Sequence, residues 1–273
     1  MTLKISILVE NTTAHMGMLG EWGLAMMVET EDKRYLFDTG SLGSIINNSR
    51  VLGVSLDDLD GIILSHGHSD HTGGLMRILE EHHVPVVYAH SKVFAQRPIP
   101  GTSRHIGCAF TLIDLEKARV NMVNIDGFQE IAPGICFSGE IPRKTAYENV
   151  GGAFQVEENG ELKPDLLEDD ISLIIRRDEG LVIVSGCAHS GIINIIEYAM
   201  EKTGESRILG YIGGTHLLTA SPDRLDQTIA ALQSYDIQKI IVSHCTGFYP
   251  AARLYNALGD KVVKGEAGMT FEF

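Results

Sequence analysis

Basic side chains are scarce: 22 Lys and Arg stand against 36 Asp and Glu, for a formal net charge of −14. Binding a phosphate backbone needs clustered Lys and Arg, so this deficit excludes a general electrostatic grip on DNA, RNA or an anionic membrane. A local pocket for a small phosphorylated ligand remains compatible with it. No run approaches the roughly 18 uncharged apolar residues that a membrane-spanning helix requires. Residues 1–10 alternate like a strand and carry no signal-peptide cleavage site. Proline is rare, at 8 residues, and neither a low-complexity segment nor an internal repeat is present, so no long linker is expected. Cys108, Cys136, Cys187 and Cys245 lack paired spacing and read as reduced thiols, not as a disulfide framework. These absences predict a cytoplasmic globular protein with a small-molecule partner, no nucleic acid and no membrane, its oligomeric state left open.

What is present is core material. Apolar residues make up 44% of the 273 and charged ones 21%, which excludes intrinsic disorder and suits one large domain or two small ones. Residues 1–65 hold strand candidates at Leu3–Val9, Leu24–Glu29, Tyr35–Asp38 and Gly61–Ser65. Helices are expected from Leu42 to about Leu52 and from Gly74 through Glu81, with a strand at Val84–Tyr88. The stretch from about 95 to 165 reads as loops and short strands, an inserted or irregular segment. From Ile171 onward strands and helices alternate: strands Ser172–Arg176, Leu181–Ser185, Ile208–Ile212 and Lys239–Ser243, helices Gly191–Lys202 and Arg224–Tyr235. Polar groups follow three of these strands, at Cys187 and His189, at Thr215 and His216, and at His244, which is where α/β folds place their sites.

The densest chemical signal is Ser65-His66-Gly67-His68-Ser69-Asp70-His71-Thr72-Gly73-Gly74, just after the apolar run Ile62-Ile63-Leu64. His66 and His68, two apart in an extended segment, point to one side and can share a metal. Asp70 and His71 follow in the turn before the next helix and can serve a second ion. Neutral imidazole with carboxylate suits Zn, Fe, Co or Mn.

This segment resembles the His-x-His-x-Asp-His signature of the metallo-β-lactamase superfamily, and Leu36-Phe37-Asp38-Thr39-Gly40 is similar to that family's early strand–Asp element. Gly186-Cys187-Ala188-His189, Gly213-Gly214-Thr215-His216 and Ser243-His244-Cys245-Thr246-Gly247 resemble the branch labelled dihydropteroate-synthase-like or β-ribofuranosylaminobenzene 5′-phosphate-synthase-like. The resemblance runs over nearly the whole chain. It implies a single domain over 1–273 with an α/β fold, an αβ/βα four-layer sandwich, and one or two divalent metal ions, zinc first and iron or manganese next. By the same resemblance His66, His68 and His189 would form one metal site, and Asp70, His71 and His244 the other, with Asp38 orienting them from behind.

One departure from the family pattern matters. Dinuclear members usually bridge their two ions with an Asp at the next strand end; here Gly214 stands there in one alignment and Cys187 in another. Restoring a carboxylate at 214 or 187 would then strengthen the second site. Cys187 is either a thiolate ligand or a small buried residue, and His216 sits in the right neighbourhood for metal or substrate. Arg143 and Lys144 are the best anion-binding candidates of the middle segment. His15 and Trp22 belong to a Gly- and Met-rich loop that either covers the site or packs on the surface, and His82 and His83 are expected to meet the end of their own helix.

The activity expected is hydrolysis by a metal-activated water of a small phosphoester, phosphodiester or related ester, with Asp70 orienting the water. A transferase or synthase acting on a pterin or ribosyl-phosphate compound is the alternative, ahead of a redox di-iron protein and of a metal-holding sensor.

Overall fold

The computed structural model describes residues 2–273 and divides into two compact units. The first contains residues 2–125, 154–165 and 266–273; the second contains 126–153 and 166–265.

In the first unit the chain runs β1 (Lys4–Val9), β2 (Ala25–Glu29), β3 (Arg34–Phe37), α1 (Ser44–Leu52), β4 (Gly61–Ile63), α2 (Ser69–Thr72), α3 (Leu75–Glu81), β5 (Val86–Ala89), α4 (Leu112–Lys117) and β6 (Asn121–Asn124). It then crosses to the second unit for β7 (Gln129–Ala132) and β8 (Ile135–Phe137), and returns for the hairpin β9 (Gln155–Glu158) and β10 (Glu161–Pro164). The second unit is completed by β11 (Ser172–Arg177), β12 (Gly180–Ser185), α5 (Ile192–Thr203), β13 (Ile208–Gly213), α6 (Pro222–Ser234), β14 (Ile237–Val242), α7 (Phe248–Leu258) and β15 (Val262–Lys264). The last strand, β16 (Thr270–Glu272), pairs with β1 in the first unit. Apart from α4, the segment 95–165 consists of loops and short strands, some of which lie at the edges of the two sheets: β6 forms one edge of the first sheet, and β7 with β8 forms an edge of the second.

Each unit is built on a seven-stranded mixed sheet. The orders are β16-β1-β2-β3-β4-β5-β6 and β15-β14-β13-β12-β11-β8-β7. In both, antiparallel strands make one half and parallel strands the other: β3 to β6 in the first, β12 to β15 in the second. Parallel strands need both faces covered. Accordingly β4, β12 and β13 are buried along their whole length. In the first unit Ile45, Ile46, Leu75 and Ile78 of the helices pack with Leu36, Ile62 and Val87 of the sheet. In the second, Ile192, Ile195, Ile196 and Ala199 recur on one face of α5 and pack with Ile183, Tyr211 and Ile240.

Helix ends explain why the strand-to-helix turns hold their shape. Glu148 accepts the backbone N–H groups of Ile193 (3.0 Å) and Asn194 (2.9 Å), satisfying the first turn of α5 from a distant loop. Ser221 Oγ accepts from Arg224 N at 3.1 Å with Pro222 beside it, a capped start for α6.

Candidate metal centre

The carboxyl ends of the parallel strands carry the chemistry. In the first unit β3 delivers Asp38, β4 delivers His66 and His68, and β5 delivers His90; all four are buried. Asp70 and His71 do not lie in an open turn but on the one-turn helix α2, which His71 enters fully buried.

His66, His68 and His71 converge. Ring centroids of His66 lie 4.7 Å from His68 and 4.3 Å from His71. His66 Nε2 and His68 Nδ1 are 3.1 Å apart. Two nitrogens on one tetrahedral zinc at 2.0–2.1 Å would be separated by about 3.3 Å, so this pair fits a shared ion. Burial, the largest influence, lowers the His68 pKa to about 3, which keeps the ring neutral and its lone pair available at pH 7.

Behind the rings a hydrogen-bond chain selects the tautomers. His71 Nδ1 donates to Asp38 Oδ2 (2.7 Å), Ser65 Oγ donates to the same oxygen (2.7 Å), and Ser65 N donates to Asp38 Oδ1 (2.7 Å). Because the Ser65 hydroxyl hydrogen goes to Asp38, its oxygen accepts from His66 Nδ1 at 2.9 Å. One carboxylate thus assigns the Nδ1 protons of both His66 and His71, leaving each Nε2 as the lone-pair donor that a metal needs. Asp70 Oδ2 accepts from Trp22 Nε1 at 3.0 Å, while Trp22 itself is half exposed.

Gly67 between the two histidines is dictated by close approach. A Cβ there would sit 1.9 Å from Val93 O and 2.5 Å from Arg97 Nη1. Arg97 is buried and pairs with Asp165 through Nε at 2.6 Å, which ties the base of the β9–β10 hairpin to this wall. Phe154, just ahead of the hairpin, places its ring 5.1 Å from that of His68.

In the second unit, Cys187 and His189 follow β12, His216 follows β13, and His244 with Cys245 follows β14. Donor atoms of Cys187, His189 and His216 lie within 4.8 Å of one another, and so do those of Cys187, His244 and Cys245. His189 Nδ1 donates to Val150 O at 2.7 Å, again directing Nε2 to the other side of the ring. Imidazoles and thiolates are a donor set for zinc or iron, so the residues fit the metal that the sequence motifs imply. Strand exits in each unit are strained. Asp38, Ala188, His216 and His244 all adopt positive φ, between 47° and 60°, a conformation concentrated at functional sites.

Four sequence expectations change. Arg143 is not an anion-binding cation: its guanidinium donates to the carbonyls of His189 (2.6 Å), Leu167 (3.1 Å) and Leu166, so it props up the His189 loop. Lys144 is an exposed side chain paired with Glu201 at 2.6 Å. A carboxylate at 214 has no room, because a Cβ on Gly214 would lie 2.5 Å from Cys245 Sγ and 2.6 Å from Gly186 O. His82, expected to meet its own helix end, bonds Asp57 Oδ1 at 2.7 Å instead.

Sequence reasoning passed over Cys245 and Asp170. Asp170 is fully buried, accepts from Ser190 N at 2.8 Å, and its Oδ1 has no hydrogen-bond partner among the described residues. Desolvation pushes its pKa up to about 6. Its acidic neighbours Glu168 and Asp169 made it look like one more solvated charge in sequence.

Comparison with known proteins agrees in direction. The Metallo-beta-lactamase superfamily profile matches residues 23–119. A 7,8-dihydropterin-6-methyl-4-(β-D-ribofuranosyl)-aminobenzene-5′-phosphate synthase of Methanocaldococcus jannaschii is 34% identical, over 99% of this chain and 97% of its own. An uncharacterised protein of the same organism is 32% identical, over 92% of this chain and 93% of its own. Among solved structures, one described as a metal-dependent hydrolase of the β-lactamase superfamily superposes with a TM-score of 0.85 at 27% identity, covering 98% of both chains.

Proposed function

Since this chain belongs to the metallo-β-lactamase superfamily, we propose that it is a metal-dependent synthase joining a pterin-6-methyl group to an arylamine that bears a ribosyl phosphate. The observation that carries this reading is the 34% identity to the archaeal synthase, spread over 99% of the chain and not confined to the metal motif.

On the sequence motifs alone, His66, His68 and His189 are assigned to one divalent ion, and Asp70, His71 and His244 to a second, with zinc the first candidate. When bound, such ions supply positive charge that stabilises a departing phosphate and draws protons from a bound nucleophile. The protein groups do the rest. Asp38 holds the proton on Nδ1 of His71 and, through Ser65, on Nδ1 of His66, so both rings keep Nε2 for the site. Asp70, with Oδ2 held by Trp22, is assigned the proton leaving the nucleophile. In the synthase step the arylamine nitrogen forms the new C–N bond to the methyl carbon. The C–O bond to a phosphate leaving group breaks, its electron pair departs with the phosphate, and the amine proton passes to Asp70.

A second reading, hydrolysis, is favoured by the description of the solved structure with a TM-score of 0.85. It uses the same residues with water in place of the amine. One experiment separates them: metal-loaded protein is given a phosphate-activated hydroxymethylpterin with and without the arylamine ribosyl phosphate. Phosphate release that requires the amine, with a coupled product detected by mass, supports the synthase. Equal release without amine, and no coupled product, supports the hydrolase and overturns the first reading.

A further inference from the structure

In the second unit Cys187 is the donor common to two triads, one with His189 and His216 and the other with His244 and Cys245. His189 and His244 are the residues assigned above to different ions, so Cys187 Sγ is in reach of a donor from each. Two donors at 2.0–2.3 Å from one ion can be no more than about 4.6 Å apart, and the donor atoms of each triad all lie within 4.8 Å of one another. Two cations also need a shared anion, and of the two positions the alignments offer for the family's carboxylate, 214 is closed, since a Cβ on Gly214 would lie 2.5 Å from Cys245 Sγ and 2.6 Å from Gly186 O. A thiolate has the charge and the lone pairs to serve both.

We propose that Cys187, as a thiolate, is the ligand shared by the two ions. This rests on the two-ion reading of the site. Its S–H proton is released to solvent when metal binds, as for any coordinating thiol. Cys245 has a different part. Its Sγ donates to Cys187 O at 3.3 Å and accepts from His216 N at 3.4 Å. It is a positioning residue that locks the loop after β14 to the loops after β12 and β13.

Cobalt(II) titration of the chelator-stripped protein tests this without any turnover. Bound cobalt per chain counts the ions, and thiolate-to-cobalt charge-transfer absorption reports sulfur ligation. The expected result is a band that grows through both the first and the second equivalent. Cys245→Ser should retain it. Cys187→Asp should bind two cobalt ions without the band, because the carboxylate restores the shared charge. Cys187→Ser should lose the band and bind its second ion at least tenfold more weakly, which keeps the test open should the Asp variant not fold. The proposal is overturned if the wild type gives no band, if the band is complete at one equivalent with two ions bound, or if it survives Cys187→Asp or vanishes in Cys245→Ser. A single bound ion fails the two-ion reading itself, and with it the sharing. Absent synthase activity beside a two-equivalent band leaves Cys187 in place and removes only the proposed reaction.

Discussion

Asp38 Oδ2 and His71 Nδ1 lie 2.7 Å apart, both side chains fully buried. The same oxygen takes the Ser65 hydroxyl that in turn receives His66 Nδ1–H. Replacing Asp38 by Asn removes the charge and turns one acceptor into a donor facing His71, so the ring loses the tautomer that presents Nε2. Outer-shell changes of this kind lower metal affinity by about 10–100-fold. Competition titration with a chromophoric chelator should show that drop in Asp38→Asn. Ser65→Ala should show a smaller one, because it releases only His66. An affinity unchanged in Asp38→Asn would mean that the carboxylate is merely structural.

Chelation should destabilise the wild type. His66, His68 and His71 are crowded together and buried, and a cation that binds only the folded state adds stability by mass action. Thermal melts should shift down when chelator is added. In His66→Ala and His68→Ala the shift should be largely gone, because the ion-dependent part is already lost. A wild-type melting curve that ignores saturating chelator would reduce the cluster to a non-structural role.

Arg97 and Asp165 form a buried ion pair, with Nε to Oδ2 at 2.6 Å. Removing one partner strands a desolvated charge, which typically costs about 3–5 kcal/mol. Arg97→Leu should lower the denaturant midpoint accordingly, and adding Asp165→Leu should recover much of the loss. Equal stabilities for the single and double variants would show that the pair contributes nothing beyond packing.

Asp170 gives the protein a pH signature. A carboxyl with a folded-state pKa near 6 and an unfolded value near 3.9 binds its proton more tightly when folded. Its ionised form therefore costs stability above about pH 6, and the cost disappears as pH falls toward about 4. Asp170→Asn, measured in chelator so that metal loading does not contribute, should be more stable than the wild type at pH 7 by roughly 2–3 kcal/mol. The two should converge near pH 4. A gap independent of pH would refute the desolvated-carboxyl account.

The alternation of strands and helices and the strand-end histidines were legible because each is a local pattern. Side-chain period, apolar runs and residue spacing act over a few neighbours. The sequence by itself also determined the family, through a motif whose six residues carry four candidate ligands. Some elements escaped it: α7 was not anticipated, and for the segment 95–165, read as inserted or irregular with loops and short strands, the sequence did not show that its strands extend both sheets. Tertiary structure alone decided which polar groups are already spent. Arg143 looks like an anion receptor until its guanidinium is found on carbonyls 24 and 46 residues away. Asp170 looks like one solvated acid in an acidic run until its burial is seen to push its pKa up to about 6. Gly214 and Cys187 compete for one role in sequence, and only the approach of Cys245 Sγ to Gly214 closes one option. Packing and desolvation act between residues distant in the chain, and neither leaves a mark in the local order of side chains.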